Sequence, residues 1–493
     1  RQVSSAASDV YKRQNLNCMN IRIVYILLIL SFSSFSQEKK QNILFIGVDD
    51  LRPLINSYGH KQMITPNIDK LAKDGIQFNQ AYVNIAVCGA SRASILTGIR
   101  GSFTRFDSYT SRADKDVPEA TTLAQIFKEN GYRTASIGKI SHFADDSKSD
   151  WDDFYSFRNG SDYKNPISLK RQKEIKKIRP DGKYAGPPFE YSNASDDEYN
   201  DGKLTNVAIN QLKKYKESNE PFFLAVGYIL PHLPFIQPKK YGDLYDYDDL
   251  IFTEQKTQPV NAPERSTAHD WTELRNWYID IPEHGPVSFK MEENLIKSYY
   301  ATITYLDTLI GKLLNSLEEL GLKDNTTIVF WSDHGFFLGE HGMWCKHHTF
   351  NEAIHVPLII SSPKMKKGYK SDAMIEYVDL YPTICEIAGI TPPNYIHGES
   401  FVSVLKNPEK EHKTEIYSRY QTLEVVQDKK FSYHEVLQHN TGKVLYNMLF
   451  DMENDKKQYF NISNNSEYLE IVNSYSKKLK LMRDFSNKKI KIK

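Results

Sequence analysis

The stretch NILFIGVDD, residues 42–50, sets the fold. From Asn42 to Val48 the residues are almost all apolar, and Ile43, Ile46 and Val48 are β-branched. A surface strand alternates polar with apolar side chains, and this one does not. An unbroken apolar run of strand length reads as a strand buried on both faces, the pattern of a parallel sheet with helices on each side. Asp49 and Asp50 follow at once. Two adjacent carboxylates at the end of a core strand are costly unless a cation or basic groups neutralise them. The stretch therefore predicts a core strand with charged chemistry at its C-terminal end.

The same grammar recurs outward along the chain. TPNIDKLAKDG (65–75) and TTLAQIFKENG (121–131) read as capped helices that stop at glycine, and YRTASIG (132–138) as a strand. LTNVAINQLKKYK (204–216) reads as a helix before the strand FFLAVGY (222–228). A long amphipathic helix over 291–320 precedes the strand TTIVFWSD (326–333), and HVPLII (355–360) is one more strand. Strands separated by helices predict an α/β fold with a large mixed, mostly parallel sheet between helical layers. Beyond residue 405 strand-like segments follow one another and a closing helix spans 467–485, so a smaller C-terminal sheet-plus-helix subdomain is expected over 406–493. The main domain is expected over 37–405. The stretches 143–203 and 240–290 lack periodicity and read as excursions over the sheet, of the kind that build pockets.

The segment from Met19 has a positive start at Arg22, a short apolar core over 23–30 and small residues to Ser36. That is the pattern of a signal peptide over 19–36, with residues 1–18 an upstream or non-native segment. The apolar core is short for a membrane span. A secreted or periplasmic protein with no stable membrane span after cleavage is expected. The net charge of +1 gives no electrostatic reason to expect nucleic acid. Cys88, Cys345 and Cys385 follow the leader, an odd number that makes no disulfide scaffold.

Reactive groups gather after strands, where ligands bind in open α/β sheets. Asp49 and Asp50 follow the first strand, and Asp333 and His334 follow TTIVFWS. Three carboxylates and a histidine suit a hard divalent ion. Lys139 and His142 lie in IGKISH after another strand, and His232 lies between Pro231 and Pro234 in GYILPHLPF. Lys346 stands just beyond the Asp333–His334 pair, in GEHGMWCKHH. A lysine facing a metal makes sense when an anion lies between them. A metal, a polyoxyanion substrate and two proton-transfer histidines are the chemistry these residues suggest, with a phosphatase site of similar plan as the alternative.

The segment VCGASRASILTG, 87–98, then narrows the choice. Cys88, Ser91, Arg92 and the apolar run after them resemble the signature of type I formylglycine-dependent sulfatases, in the alkaline-phosphatase-like superfamily. VDDLRP (48–53), GKISH (138–142), LAVGYILPHLPF (224–235) and SDHGFFLGEHGMWCKH (332–347) resemble its iduronate-2-sulfatase-like branch. The resemblance runs from Asn42 to Ser400.

It implies that a formylglycine-generating enzyme converts Cys88 to formylglycine during export, and that the hydrated residue is the nucleophile. It implies one calcium ion held by Asp49, Asp50, Asp333, His334 and the modified Cys88. Arg92 would support residue 88, and Lys139 and Lys346 would bind sulfate oxygens. His232 would protonate the leaving alcohol, and His142 would assist breakdown of the sulfated residue. The implied substrate is a sulfated oligosaccharide, attacked from its end at a 2-O-sulfated uronate-type unit of a glycosaminoglycan or algal polysaccharide. Ala90 replaces the signature proline, and Ile229 and Leu230 replace a polar pair of the branch. Two other readings share the pocket: a phosphomonoester or phosphonate hydrolase, and a non-catalytic sulfated-glycan-binding protein.

Overall fold

The computed structural model describes residues 39–157, 162–178, 186–264, 266–267, 273–439 and 441–490. The expected signal peptide and the segment before it lie outside the described residues.

The main sheet is built from β1 (Asn42–Val48), β2 (Ile76–Tyr82), β3 (Arg133–Gly138), β4 (Asp153–Tyr155), β5 (Phe222–Gly227), β6 (Thr326–Ser332), β7 (Leu358–Ser361) and β8 (Tyr369–Glu376). Its order is β8-β2-β7-β6-β1-β5-β3-β4. β1 lies at the centre, parallel to both β5 and β6. Only β7 runs antiparallel to its neighbours β2 and β6.

The apolar run of β1 divides by parity. Leu44, Ile46 and Val48 enter one core, and Ile43 and Phe45 enter the other. Each of these side chains is fully buried. Helices cover both faces: α1 (Pro66–Lys73), α2 (Cys88–Thr97), α3 (Leu123–Glu129), α4 (Asn200–Ser218), α5 (Phe289–Glu319) and α6 (Leu380–Ile387). α1, α4 and α5 pack on the first core, and α3 and α6 on the second. The 143–203 stretch, expected to be aperiodic, holds the helix Pro166–Ile178 and the strand Phe189–Ser192, which pairs in parallel with Phe235–Pro238, and the 240–290 stretch holds the short helix Glu273–Trp277.

β9 (Ile416–Tyr420), β10 (Leu423–Gln427), β11 (Phe431–Leu437) and β12 (Val444–Asp451) form an antiparallel sheet in sequence order. α7 (Leu469–Ser486) covers one face with Val472, Tyr475 and Leu479, against Tyr417, Val426, Tyr433 and Leu449. The other face sends Ile416, Val425, Met448 and Phe450 into the second core of the main sheet. β9 also reaches across by backbone: Arg419 N–H donates to the Asn84 carbonyl at 3.0 Å, and Ala86 N–H to the Arg419 carbonyl at 3.4 Å. The C-terminal sheet thus touches the segment that leads into Cys88.

Candidate active site

The site is assembled at the C-terminal ends of the central strands. β1 ends and Asp50 turns the chain with φ of 63°, a left-handed conformation that Asp tolerates better than most residues. β6 ends alongside, and the two ends are tied together. Asp333 N–H donates to the Val48 carbonyl at 3.1 Å, and Asp50 N–H to Asp333 Oδ1 at 3.2 Å. β3 ends at Gly138, whose φ of 87° and contact with the Gly227 carbonyl leave no room for a side chain. That turn delivers Lys139, which ion-pairs with Asp49.

Cys88 is the first residue of α2, after an extended Val87. One helical turn on, Arg92 lies on the same side. Its guanidinium is fully buried between Asp333 Oδ2 at 2.8 Å and Asp49 Oδ1 at 3.3 Å, and it donates to the carbonyls of Lys139 and Ile140. The Cys88 thiol meets His334 Nε2 at 3.1 Å and hydrogen-bonds His142. Lys346 Nζ lies 3.1 Å from Asp50, and His232 Nε2 lies 3.9 Å from Asp50 Oδ2. The structure therefore brings Asp49, Asp50, Cys88, Arg92, Lys139, His142, His232, Asp333, His334 and Lys346 into one cluster, buried save for the half-buried His142 and His232.

Charge in this cluster is set by neighbours. Burial pushes the Cys88 thiol up, but Lys139, Lys346 and His334 outweigh it and hold the thiol well below its ordinary value. Burial would lower His334, yet Asp333, Cys88 and Asp50 lift it to about 9. Burial raises Asp333 to about 7 against the pull of Arg92, and it raises Asp50 against that of Lys346. At Asp49, Lys139, His232 and Arg92 together overcome burial and keep the carboxyl ionised.

The donor set fits a divalent cation. One ligand atom each from Asp49, Cys88, Asp333 and His334 lies within 4.8 Å of the others. Asp50 Oδ1 accepts no hydrogen bond, although His334 Nδ1 at 3.2 Å and Lys346 Nζ at 3.1 Å lie beside it. Such a bare buried carboxylate oxygen suits a metal. The thiol is the one soft donor, and an oxygen at residue 88 would make the set a hard one, as calcium prefers.

Two buried carboxylates of this region have no sequence signal. Glu273 lies within the aperiodic 240–290 stretch. It contacts Lys346 Nζ at 2.6 Å and His232 Nε2 at 3.1 Å. Asp201 accepts the N–H groups of Ile229 at 3.1 Å and Leu230 at 2.9 Å, holding the backbone that leads to His232. His341 lies away from the cluster, stacked on Phe350 at 4.5 Å, and anchors its loop.

A family model described as Sulfatase matches residues 41–390. The chain belongs to the sulfatase family. A second model, the C-terminal part of N-sulphoglucosamine sulphohydrolase, matches residues 339–484. Iduronate 2-sulfatase of Homo sapiens is 35% identical over 393 residues, covering 71% of this chain and 70% of that protein. N-acetylglucosamine-6-O-sulfatase of Bacteroides thetaiotaomicron is 27% identical over 532 residues, covering 94% and 90%. Among solved structures, phosphonate monoester hydrolase of Agrobacterium radiobacter superposes with a TM-score of 0.73 at 22% identity, covering 91% of this chain and 96% of that one. That last likeness is one of fold. Sulfatases of several subtypes match, so membership is shown for the family and not for the iduronate-2-sulfatase-like branch alone. With the buried Asp/Cys/His/Asp cluster in place, this sulfatase is a hydrolase. Among its described residues no helix is long and apolar enough to cross a membrane.

Proposed function

We propose that this sulfatase hydrolyses a sulfate ester on a sulfated saccharide, using formylglycine at position 88 and one calcium ion. The observation that carries this reading is the contact set of Cys88: a buried thiol at a helix start, beside His334 and His142 and held low by two lysines. Calcium held by Asp49, Asp50, Asp333, His334 and residue 88 would supply Lewis-acid polarisation of the ester. Arg92 fixes the helix start and orients Asp49 and Asp333. Lys139 and Lys346 offer ammonium groups to sulfate oxygens, where charge is distributed in the transition state. His232 keeps its Nδ1 on the Leu233 carbonyl at 2.6 Å, so Nε2, beside Glu273 at 3.1 Å, is the nitrogen that would carry a proton to the leaving oxygen. His142 is within reach of residue 88 for proton transfer there.

The substrate class follows from kinship and from the expected export. The reading is exo-acting removal of sulfate from a 2-O-sulfated uronate-type unit, in a glycosaminoglycan or an algal polysaccharide. Human iduronate 2-sulfatase supports the uronate. Ile229 and Leu230 replace a polar pair of that branch, so the sugar subsite differs in detail. The reading also includes maturation of Cys88 by a formylglycine-generating enzyme, and a boundary near residue 405 between the catalytic domain and the C-terminal subdomain.

The test is a panel of defined sulfated oligosaccharides and regioisomers, with matched phosphate and phosphonate esters, assayed for released sulfate and phosphate. Sulfate release from a terminal 2-O-sulfated uronate is expected. Turnover of the phosphorus esters alone would overturn the sulfatase reading. Release only from nonuronic units would overturn the sugar.

A further inference from the structure

Among the buried charged groups that this mechanism leaves without a part, Glu273 stands nearest to the chemistry. It opens the short helix Glu273–Trp277. Leu274 shares a buried cluster with Trp344 and Cys345, so the helix is anchored beside the two-residue strand Trp344–Cys345 that leads into Lys346. The carboxylate divides its two oxygens between two side chains. Oε2 meets Lys346 Nζ at 2.6 Å, and Oε1 meets His232 Nε2 at 3.1 Å. Its partners come from different loops, one after β5 and one after β6.

A buried carboxylate in a pocket for an anion has a cost, because like charge opposes substrate. Something must offset it, and the geometry shows what. His232 faces acceptors on both sides, the Leu233 carbonyl at Nδ1 and Glu273 at Nε2. Both bonds form only when both ring nitrogens carry hydrogen. The ring is therefore held by both nitrogens, with a proton-bearing Nε2 on Glu273 and 3.9 Å from Asp50. Lys346 has two carboxylate partners, Asp50 and Glu273. Asp50 belongs to the cation cluster, so Glu273 is the partner left to anchor the ammonium when a metal claims Asp50.

We propose that Glu273 is a positioning residue that fixes His232 as the proton donor and Lys346 as the sulfate-binding cation of the same reaction. This rests on the sulfatase reading above.

The test has two arms. In the first, full-length protein carrying ¹⁵N-labelled histidine is examined by NMR. The Nε2–H resonance of His232 is assigned by its loss in His232→Ala. It is expected in the wild type and absent in Glu273→Ala. Its absence from the wild type, or its persistence in Glu273→Ala, would overturn the contact. This arm needs no turnover, so it judges Glu273 even if no sulfate ester is cleaved and the sulfatase reading itself fails.

The second arm compares natively processed wild type and Glu273→Gln on an activated aryl sulfate and an alkyl or sugar sulfate. Thermal midpoints check the fold, and Glu273→Asp replaces the glutamine variant if that one does not fold. Loss of kcat by roughly 30-fold is expected on the poor leaving group, part of the 100-fold or more that a positioned acid contributes. On the aryl ester kcat should change by less than about threefold, with KM raised on both through Lys346. Equal kcat losses on the two esters, or none, would overturn the positioning role.

Discussion

Two groups of histidines, one at the strand ends and one at the seam with the C-terminal sheet, differ in charge: the first is cationic and the second neutral. His232 and His334 are raised, because Glu273 and Asp50 face the first and Asp333, Cys88 and Asp50 face the second. His341 and His434 are lowered, to about 4 and about 3, because burial is opposed by almost nothing. Most of their neighbours are rings and hydroxyls, and the carboxylates near His341, Glu340 and, at 3.9 Å, Glu352, do not overcome burial. His341 and His348 stack on Phe350 at 4.5 Å and 4.0 Å, and His434 lies 5.4 Å from the same ring. His434 bonds Thr349 and Ser432 hydroxyls, each at 2.9 Å. One residue type is thus held charged at the strand ends and neutral at the seam with the C-terminal sheet. The surroundings decide which, so the two groups should fail differently when disturbed.

The largest effect is expected at residue 88. Cys88→Ala should reduce kcat about a thousandfold or more, as loss of a nucleophile does. Its thermal midpoint should stay near that of the wild type, since little volume is removed. A large drop in midpoint would show that the charged cluster also carries stability and would blur the contrast.

Removal of the cation comes next. Chelation should abolish turnover and lower the thermal midpoint, and added calcium should restore both. Elemental analysis should give calcium in one-to-one ratio. A stoichiometric pair of zinc ions would move the site toward phosphatase chemistry.

At the neutral seam the expected loss is in stability. Phe350→Ala removes the ring on which the histidines stack and should cost about 3–5 kcal/mol in denaturant unfolding. Its KM on a small aryl sulfate should hold within about threefold. A kcat loss with unchanged stability would place Phe350 in the chemistry instead.

The smallest effect is in pH dependence. An unfolded histidine takes up its proton near pH 6.5, whereas His434 resists until about 3 and His341 until about 4. Between those limits the unfolded chain binds more protons. The contribution is therefore complete above about pH 6.5 and is lost as pH falls, by about 1.4 kcal/mol per pH unit for each histidine. His434→Gln should flatten the acid side of the stability profile by about that slope. An unchanged profile would mean that His434 is charged in the fold.

Much of this was legible in the sequence, for identifiable reasons. The core strands could be read because a strand covered on both faces needs apolar residues at both parities, as in Asn42–Val48. The Asp49–Asp50 pair after β1 and the Asp333–His334 pair after β6 stood out because charge beside a core strand is unusual. Glu273 gave no such signal: one acid in an aperiodic, polar stretch looks like any surface acid. Asp201 opens an ordinary helix, and only the fold shows its carboxylate under residues 229–230. The seam was also hidden. His434 lies in a strand whose partner ring, Phe350, comes from a distant loop, and single histidines carry no spacing from which to infer company.

The burial of Cys88 also has a consequence in time. Its side chain is almost wholly enclosed, and the wall around it arrives late: His334 stands 246 residues downstream, and β9, bonded beside the approach to Cys88, is farther still. Synthesis at about 5–20 residues per second separates the thiol from its enclosure by on the order of ten seconds or more. Any enzyme that alters Cys88 must find it within that interval, on a chain still open. On the maturation proposed above, a protein that finished folding first would keep its thiol, and the yield of modified molecules would be set by a race between folding and modification.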